Sequence, residues 1–178
     1  MTGGVGRFFE SIGRGWGPFL MGEIIMAEAV KAYRVDGKSV VYEYDNGSKE
    51  KWSGGTPAWR NRNPGNVIYA SVNNWKGQIG FAGRFCCFSD VAYGVRAVKR
   101  LLVRYGKRGM TLEQGIATYA PAVENDTRAY VAQVEKGSGV IRDRLLAGLS
   151  ERELDAVVEA IRVHEGYVEG TVESISKS

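Results

Sequence analysis

The stretch WRNRNPGNV, residues 59–67, carries the strongest local constraint on the backbone in this sequence. Pro64 fixes its own φ and disfavours a helical conformation for Asn63. Gly65 permits a positive φ. The four residues from Asn63 to Asn66 therefore predict a tight turn, around which the rest of the chain is arranged.

Two interpretations of the amides in this turn stay open. In the first, the side chains of Asn63 and Asn66 bond their own backbone, as amides in turns commonly do. In the second, they bind a sugar, because an amide offers both a donor and an acceptor to hydroxyl and N-acetyl groups. Trp59 would then supply an apolar face against the sugar ring.

Composition predicts a soluble globular protein with a sizeable core. The chain has 178 residues, of which 44% are hydrophobic and 25% are charged. Its net charge of +4 favours an acidic partner surface, such as nucleic acid, an anionic membrane or the bacterial cell wall. The basic residues are dispersed, which disfavours a dedicated nucleic-acid patch, and no segment is long and apolar enough to predict membrane insertion.

The sequence predicts neither a disulfide nor a metal site nor a cofactor. Cys86 and Cys87 are adjacent, so in a strand they point to opposite faces and serve as packing residues in a protein that folds in a reducing cytoplasm. No His/Cys cluster is present for zinc. His164 has no evident triad partner and is expected at the surface, and the glycines of residues 77–83 lack the Gly-Lys-Ser/Thr of a phosphate loop.

The first 26 residues do not resemble a Sec signal peptide. The apolar part, residues 16–26, is interrupted by Gly17, Pro18, Gly22 and Glu23. If the protein acts outside the producing cell, we expect an export machine that does not read a Sec signal.

Local patterns predict one hairpin and several helices. Residues 22–33 have helix formers with apolar residues at helical spacing. Residues 39–44 and 48–52 flank an Asn-Gly turn and predict a β-hairpin, and residues 84–88 are strand-like. Further helices are predicted from their capping residues. The first spans about residues 90–105 with Ser89 as its cap, and the others run from Thr111 to Tyr119, from Asp126 to Lys136 and from Ser150 to His164.

The expected fold class is therefore α+β and mainly helical, with one β-hairpin. This layout resembles that of the lysozyme superfamily, in which a glutamate at a helix end protonates the glycosidic oxygen. We expect an N-terminal arm and helix over residues 1–38 and a lysozyme-like domain over residues 39–178.

Two glutamates are candidates for the catalytic acid. Glu165 ends an apolar-striped helix just before Gly166, although placing it ahead of the hairpin requires a circular permutation. Its alternative role is that of an ordinary residue at a helix end, where a carboxylate is disfavoured by the helix dipole. Glu124 precedes a helix N-terminus, where its alternative role is to stabilise the dipole.

A resemblance extends these expectations. The motifs WRNRNPGNV, GQIG, GRFCCFSDVAYGVRA, YAPAVENDTRAYVAQV and AIRVHEG occur in order over residues 40–167. In this combination the chain resembles phage-derived and type VI secretion proteins, most closely the type VI peptidoglycan glycoside hydrolase effectors. The resemblance implies a lysozyme-like fold, catalysis by Glu165 or Glu124, and a substrate groove containing Asn63, Asn66, Gln78, Tyr119, Asn125 and Tyr130.

The same resemblance implies a biological setting. Such effectors are made in the cytoplasm, act in the periplasm of a target bacterium on peptidoglycan glycan strands, and are held by a cognate immunity protein. Here the immunity protein is expected to be acidic, because it must cover a basic surface. We favour an N-acetylglucosaminidase over a muramidase, and hydrolysis over transglycosylation. The rival expectations are a non-catalytic phage-type structural or wall-binding protein and a nucleic-acid binder.

Overall fold

A computed structural model describes residues 27–121 and 126–176 of the chain. Its strands are β1 Ala29–Asp36, β2 Ser39–Tyr44, β3 Lys49–Ser53, β4 Gln78–Ala82, β5 Phe85–Phe88 and β6 Thr171–Ile175. Its α-helices are α1 Pro57–Arg60, α2 Val91–Gly106, α3 Leu112–Tyr119, α4 Thr127–Ser138 and α5 Glu151–Glu165. A 3₁₀ turn, Leu146–Gly148, precedes α5.

The strands form one mixed sheet of six strands in the order β5-β4-β1-β2-β3-β6. Strand β1 pairs in parallel with β4, and every other neighbouring pair is antiparallel. The expectation of a mainly helical, lysozyme-like domain with one hairpin, and with it the circular permutation, is therefore wrong. The structure is an α+β fold in which a large sheet stands beside the helices.

The helix predicted over residues 22–33 is also wrong from Ala29 onward, where the chain forms β1; residues 22–26 lie outside the described part. Buried Ala29 and Ala32 are three residues apart, which imitates helical spacing. The spacing arises because β1 has an irregular register against β2 between Ala29 and Lys31, and such a bulge interrupts the alternation of a strand. The domain boundary predicted at residue 38 falls in the turn between β1 and β2.

Two strands gave no usable pattern in the sequence. In β4, Gly80 lies so close to β1 that a Cβ atom would stand 1.9 Å from the carbonyl oxygen of Ala32. This position therefore requires glycine, although glycine is unfavourable in strand interiors. Strand β6 is exposed along its whole length and is held by backbone pairing with β3, so its sequence lacks an apolar face.

The predicted hairpin and the capped helices are confirmed. Asp45-Asn46-Gly47 joins β2 to β3, with Gly47 at a φ of 77°. Both capping boxes form, Thr111 with Gln114 and Ser150 with Glu153. Helix α2 differs in one detail, because Asp90 and not Ser89 is its N-cap and accepts a hydrogen bond from the backbone N–H of Ala92.

The core has two parts that meet at strand β5. The larger part lies among the helices, and the smaller part lies on the sheet around Val40 and Tyr42. Cys86 belongs to the larger part and Cys87 to the smaller one, both as buried free thiols. The prediction that these neighbours point to opposite faces and act as packing residues is confirmed.

Burial of the two thiols predicts a loss of stability at alkaline pH. It raises the pKa of Cys86 from 9.0 to about 11 and that of Cys87 from 9.0 to about 12. Above pH 9.0 the unfolded thiols release protons while the folded ones keep theirs, so the free energy of unfolding falls as pH rises. Urea unfolding at a pH of about 8 and about 10.5 should show a loss of about 2 kcal/mol for each thiol.

The variant Cys87→Ala tests this assignment. It is less stable at neutral pH because it leaves a cavity, but its loss between the two pH values should be smaller by about 2 kcal/mol. An equally steep loss in the variant would show that Cys87 does not contribute to the alkaline transition.

Candidate active site

The turn predicted around Pro64 forms and is held by its first amide. The backbone N–H of Asn66 donates to the carbonyl of Asn63 at 2.9 Å. Asn63 is fully buried; its Nδ2 donates to the carbonyls of Val67 and Cys86 at 3.0 and 2.9 Å, and its Oδ1 accepts from the N–H of Val67 at 2.8 Å. Each polar atom of this side chain is therefore bound to backbone.

The glycine of the turn is needed for space and not for a positive φ. Arg62 and Asn66 are the residues in the left-handed region, both at a φ of 50°. A Cβ atom on Gly65 would lie 2.4 Å from Cγ2 of Val98 and 2.5 Å from the hydroxyl of Tyr119. The turn is thus packed tightly against α2 and α3.

The turn presents Asn66 to the carboxyl group of Glu165. Glu165 is the last residue of α5, which ends at Gly166 with a φ of 69°. Asn66 Nδ2 donates to Glu165 Oε2 at 2.8 Å, and the Tyr130 hydroxyl, from α4, donates to Oε1 at 2.7 Å. Both oxygens of one carboxyl group are therefore held by side chains from distant parts of the sequence.

Two tyrosines beside Glu165 stay neutral over a wide pH range. Burial raises the pKa of Tyr130 and of Tyr119 well above the usual value, and the nearby Glu165 charge raises both further. Tyr119 donates to the carbonyl of Gly65, which fixes the turn against α3. The ring of His164 stacks on Tyr130 with 3.5 Å between centroids, so this histidine helps to hold Tyr130 in place. His164 is only partly exposed.

Glu165 lines a cavity of about 470 Å³, a size typical of ligand pockets. The turn supplies one wall, and α2, α3 and β5 supply others. Its apolar lining includes Val67, Ile68, Trp75, Phe85, Leu101 and Tyr105. Its polar lining includes Asn66, Asn73, Arg84, Thr118 and Glu165, the last being the one carboxylate that residues 27–121 and 126–176 contribute to it.

Two polar atoms of the cavity-lining residues are buried without a hydrogen-bond partner in the described part of the chain. They are Oδ1 of Asn66 and Nε1 of Trp75. An unpartnered buried polar atom is costly, so each one calls for an explanation, such as a bound water, an ion or a catalytic role. The two atoms are one acceptor and one donor on residues of the cavity wall.

Comparison with known proteins finds a phage protein to which the chain is similar. No protein-family model matches it. Over 125 residues it is 32% identical to protein P5 of Pseudoalteromonas phage PM2, a match that covers 66% of this chain and 76% of P5. The chain belongs to the P5 family.

In this P5 family member, three of the predicted site residues converge on the cavity beside Glu165. They are Asn66, Tyr119 and Tyr130, of which Asn66 and Tyr119 line the cavity and Tyr130 supports Glu165. The second predicted acid, Glu124, and the predicted groove residue Asn125 lie outside the described residues.

The other predicted substrate-binding residues lie elsewhere in the structure. Trp59 is buried against Trp52, with 4.6 Å between ring centroids, and does not line the cavity. Gln78 lies on β4, where its Oε1 accepts from the Cys86 thiol at 3.6 Å. Asn63 has no polar atom left for a ligand, as the backbone-bonding interpretation of the turn expects.

Four cavity residues of this P5 family member did not emerge from the sequence. Asn73 and Trp75 lie in the irregular segment before β4, Arg84 precedes β5, and Thr118 is on α3. None belongs to a motif with a defined chemical role. A tryptophan within a loop rich in asparagine was the single local feature that could have drawn attention to them.

The described residues offer neither a metal cluster nor a membrane-spanning helix. Within residues 27–121 and 126–176, no group of three or more His, Cys, Asp or Glu side chains is placed to hold a metal ion. No helix in those ranges is both long enough and apolar enough to cross a bilayer.

Proposed function

We propose that this protein hydrolyses β-1,4 glycosidic bonds of peptidoglycan, with Glu165 as the general acid. The observation that carries the proposal is a single carboxyl group, fixed by Asn66 and Tyr130, at the wall of a cavity with apolar sides. Glycosidases need a positioned carboxyl group of this kind to protonate the leaving oxygen. Asn66 Oδ1 and Trp75 Nε1 would bind the acetamido or hydroxyl groups of the sugar.

In the proposed reaction, one proton leaves Glu165 and is later replaced by a proton from water. The Glu165 carboxyl group gives its proton to the glycosidic oxygen as the bond from that oxygen to the anomeric carbon breaks. Water adds to the anomeric carbon, and its proton restores the carboxyl group. Because a phenol hydroxyl both donates and accepts, Tyr130 can stay bonded to Glu165 in each protonation state.

Glu124 remains the second candidate acid or base. It follows Ala120 by four residues, and Ala120 lines the cavity. A second carboxylate would direct the attacking water, which is the usual partner role in glycosidases. With Glu165 alone, a bound water has to attack without that assistance.

The decisive test is the chemistry of the products from purified peptidoglycan. Mass analysis of soluble fragments with labelled reducing ends should find N-acetylglucosamine at the new ends, as an N-acetylglucosaminidase predicts. N-acetylmuramic acid at the new ends would make the enzyme a muramidase. Anhydro sugars without a reducing end would make it a transglycosylase, and the absence of soluble fragments would contradict the proposal.

Tyr130→Phe should lower the turnover number by about tenfold to a hundredfold with little change in KM. The variant removes one hydrogen bond to Glu165, and a bond to a carboxylate is worth about 1.5–3 kcal/mol. The matched control is Tyr33→Phe, because Tyr33 also donates to a carboxylate, Glu43 Oε1 at 3.1 Å, on the remote sheet. A lower turnover in both variants would indicate a general loss of folding and not a positioning role.

A non-catalytic wall-binding or structural role is the alternative. Membership of a phage protein family is as compatible with such a role as with hydrolysis. Both proposals predict binding to peptidoglycan, but only hydrolysis predicts release of soluble fragments. Binding without any release by the wild-type chain would favour the alternative.

The proposed setting is that of a type VI secretion effector. The protein would be made in the cytoplasm, exported without a Sec signal and active in the periplasm of a target bacterium. An acidic immunity protein would cover its basic surface in the producer, because complementary charge speeds association. Co-expression with the neighbouring gene product should yield a stable complex, and two separate proteins after purification would count against this setting.

A further inference from the structure

A groove of about 490 Å³ lies beside the candidate active site and is lined with cations. Its charged residues are Lys76, Arg96, Arg100, Arg104 and Lys107. No acidic side chain from the described part of the chain lines it. The groove shares Asn73 and Trp75 with the cavity of Glu165, so the two adjoin at these residues.

The spacing of these cations is unfavourable for the helix that carries them. Arg96, Arg100 and Arg104 follow one another at intervals of four residues on the exposed side of α2, and like charges at this spacing destabilise a helix. None of the three forms an ion pair within the described residues, whereas Lys99, on the neighbouring face, pairs with Asp155. The row of charge is therefore better explained by an anionic ligand than by the fold.

The end of the row that adjoins the cavity is already ordered. Arg104 Nη1 donates to Asn73 Oδ1 at 3.2 Å, and its guanidinium lies 5.2 Å from the centre of the Trp75 ring. Lys76 lies over the ring of Tyr93 at 5.8 Å. These contacts hold two cations in place before any ligand binds, which lowers the entropic cost of binding.

We propose that this groove binds the anionic peptide stems of the glycan strand whose sugars occupy the cavity. The proposal rests on the proposed function, and it adds the substrate feature that the protein recognises. Peptide stems leave the glycan at alternate sugars and carry free carboxylates. Arginine forks bind carboxylates in pairs of parallel hydrogen bonds, and successive cations on α2 lie about 6 Å apart along the helix axis.

The groove fits a short anionic branch better than a nucleic acid. The cations from Arg96 to Lys107 cover about 17 Å of helix, and the row begins at the cavity wall. Duplex DNA carries one phosphate charge per about 1.7 Å of its axis, so a track of this length would leave many of the facing phosphates without a cation. Duplex DNA therefore serves as a competitor that should not replace the stem-bearing glycan.

The test measures binding and does not depend on turnover. In a Glu165→Gln background of the full chain, soluble glycan fragments with intact stems are compared with the same fragments after enzymatic removal of the stems. Stem-bearing fragments should bind at least about tenfold more tightly, and added salt should reduce the difference. The triple variant Arg96→Gln, Arg100→Gln, Lys107→Gln should lose the preference.

The control removes the same number and kind of charges elsewhere. Arg128, Lys136 and Arg152 are exposed and line none of the grooves described above, so their replacement by glutamine should keep the preference for stems. Equal affinity with and without stems, a preference that survives in the groove variant, or displacement by duplex DNA would each overturn the proposal.

The result separates this inference from the proposed function. If the wild-type chain releases no fragments but the stem preference disappears with the groove cations, the hydrolase is wrong and the stem site stands. If fragments are released and no stem preference exists, the hydrolase stands and the stem site is wrong.

Discussion

Glu165→Gln is expected to lower the release of soluble fragments from purified peptidoglycan by about a thousandfold. A general acid contributes about a hundredfold to ten-thousandfold to a rate, and glutamine cannot give a proton to the leaving oxygen. The measurement is the initial rate of release at equal protein concentration. No other single substitution in the described structure should have so large an effect on activity.

The structure predicts that this variant folds normally. Glutamine has the shape of glutamate, and its Oε1 can still accept from Tyr130. Its new amide group would face Asn66 Nδ2, and that conflict disappears if the Asn66 amide flips, since Asn66 Oδ1 has no other partner among the described residues. The unfolding midpoint should therefore change little.

Two further variants serve as a control and as a test of the other candidate acid. Glu159→Gln, on the same helix, removes an exposed ion pair with Arg162 and should leave activity near that of the wild type. Glu124→Gln tests the other candidate acid. If Glu165→Gln keeps full activity and Glu124→Gln loses it, Glu124 is the general acid. Full activity in both variants would contradict acid catalysis by either residue.

Local signals sufficed for those elements that are defined by short-range contacts. The boxes of Thr111 with Gln114 and Ser150 with Glu153 fix helix starts over four residues, and Asn46-Gly47 fixes a hairpin. Strands β1 and β4 lie in short hairpins but escaped because a bulge in β1 and Gly80 in β4 interrupt their patterns, whereas β6 escaped because its pairing is long-range. Strand β6 is paired through its backbone with β3, more than a hundred residues earlier, and carries no apolar face.

The candidate site also contains residues that local patterns indicate and residues that only the tertiary fold brings together. Glu165 could be picked out by its place at the end of a helix, and Asn66 by its place in the turn, but their contact joins residues 99 positions apart. Trp75 and Thr118 reach the same cavity only because α2 and α3 fold over the turn. Such convergence depends on the sheet and helix packing, which the mainly helical prediction lacked.

Asn63→Ala is expected to lower the free energy of unfolding by about 4 kcal/mol, a large share of a typical domain's stability. Asn63 is fully buried and makes three hydrogen bonds to backbone groups. Alanine would leave buried donors and acceptors unpaired, at about 1–3 kcal/mol for each group. Urea unfolding at neutral pH measures the loss directly.

The control is Asn46→Ala, which removes one exposed hydrogen bond, donated by the backbone N–H of Ser48 to Asn46 Oδ1. Its cost should stay below about 1 kcal/mol, because water replaces the lost partner. The pair of variants also separates the two interpretations of the Asn63-Pro64-Gly65-Asn66 turn. If Asn63→Ala kept the stability of the wild type and lost only affinity for glycan, Asn63 would be a substrate-binding residue; if stability falls as expected, its amide holds the loop that delivers Asn66 to Glu165.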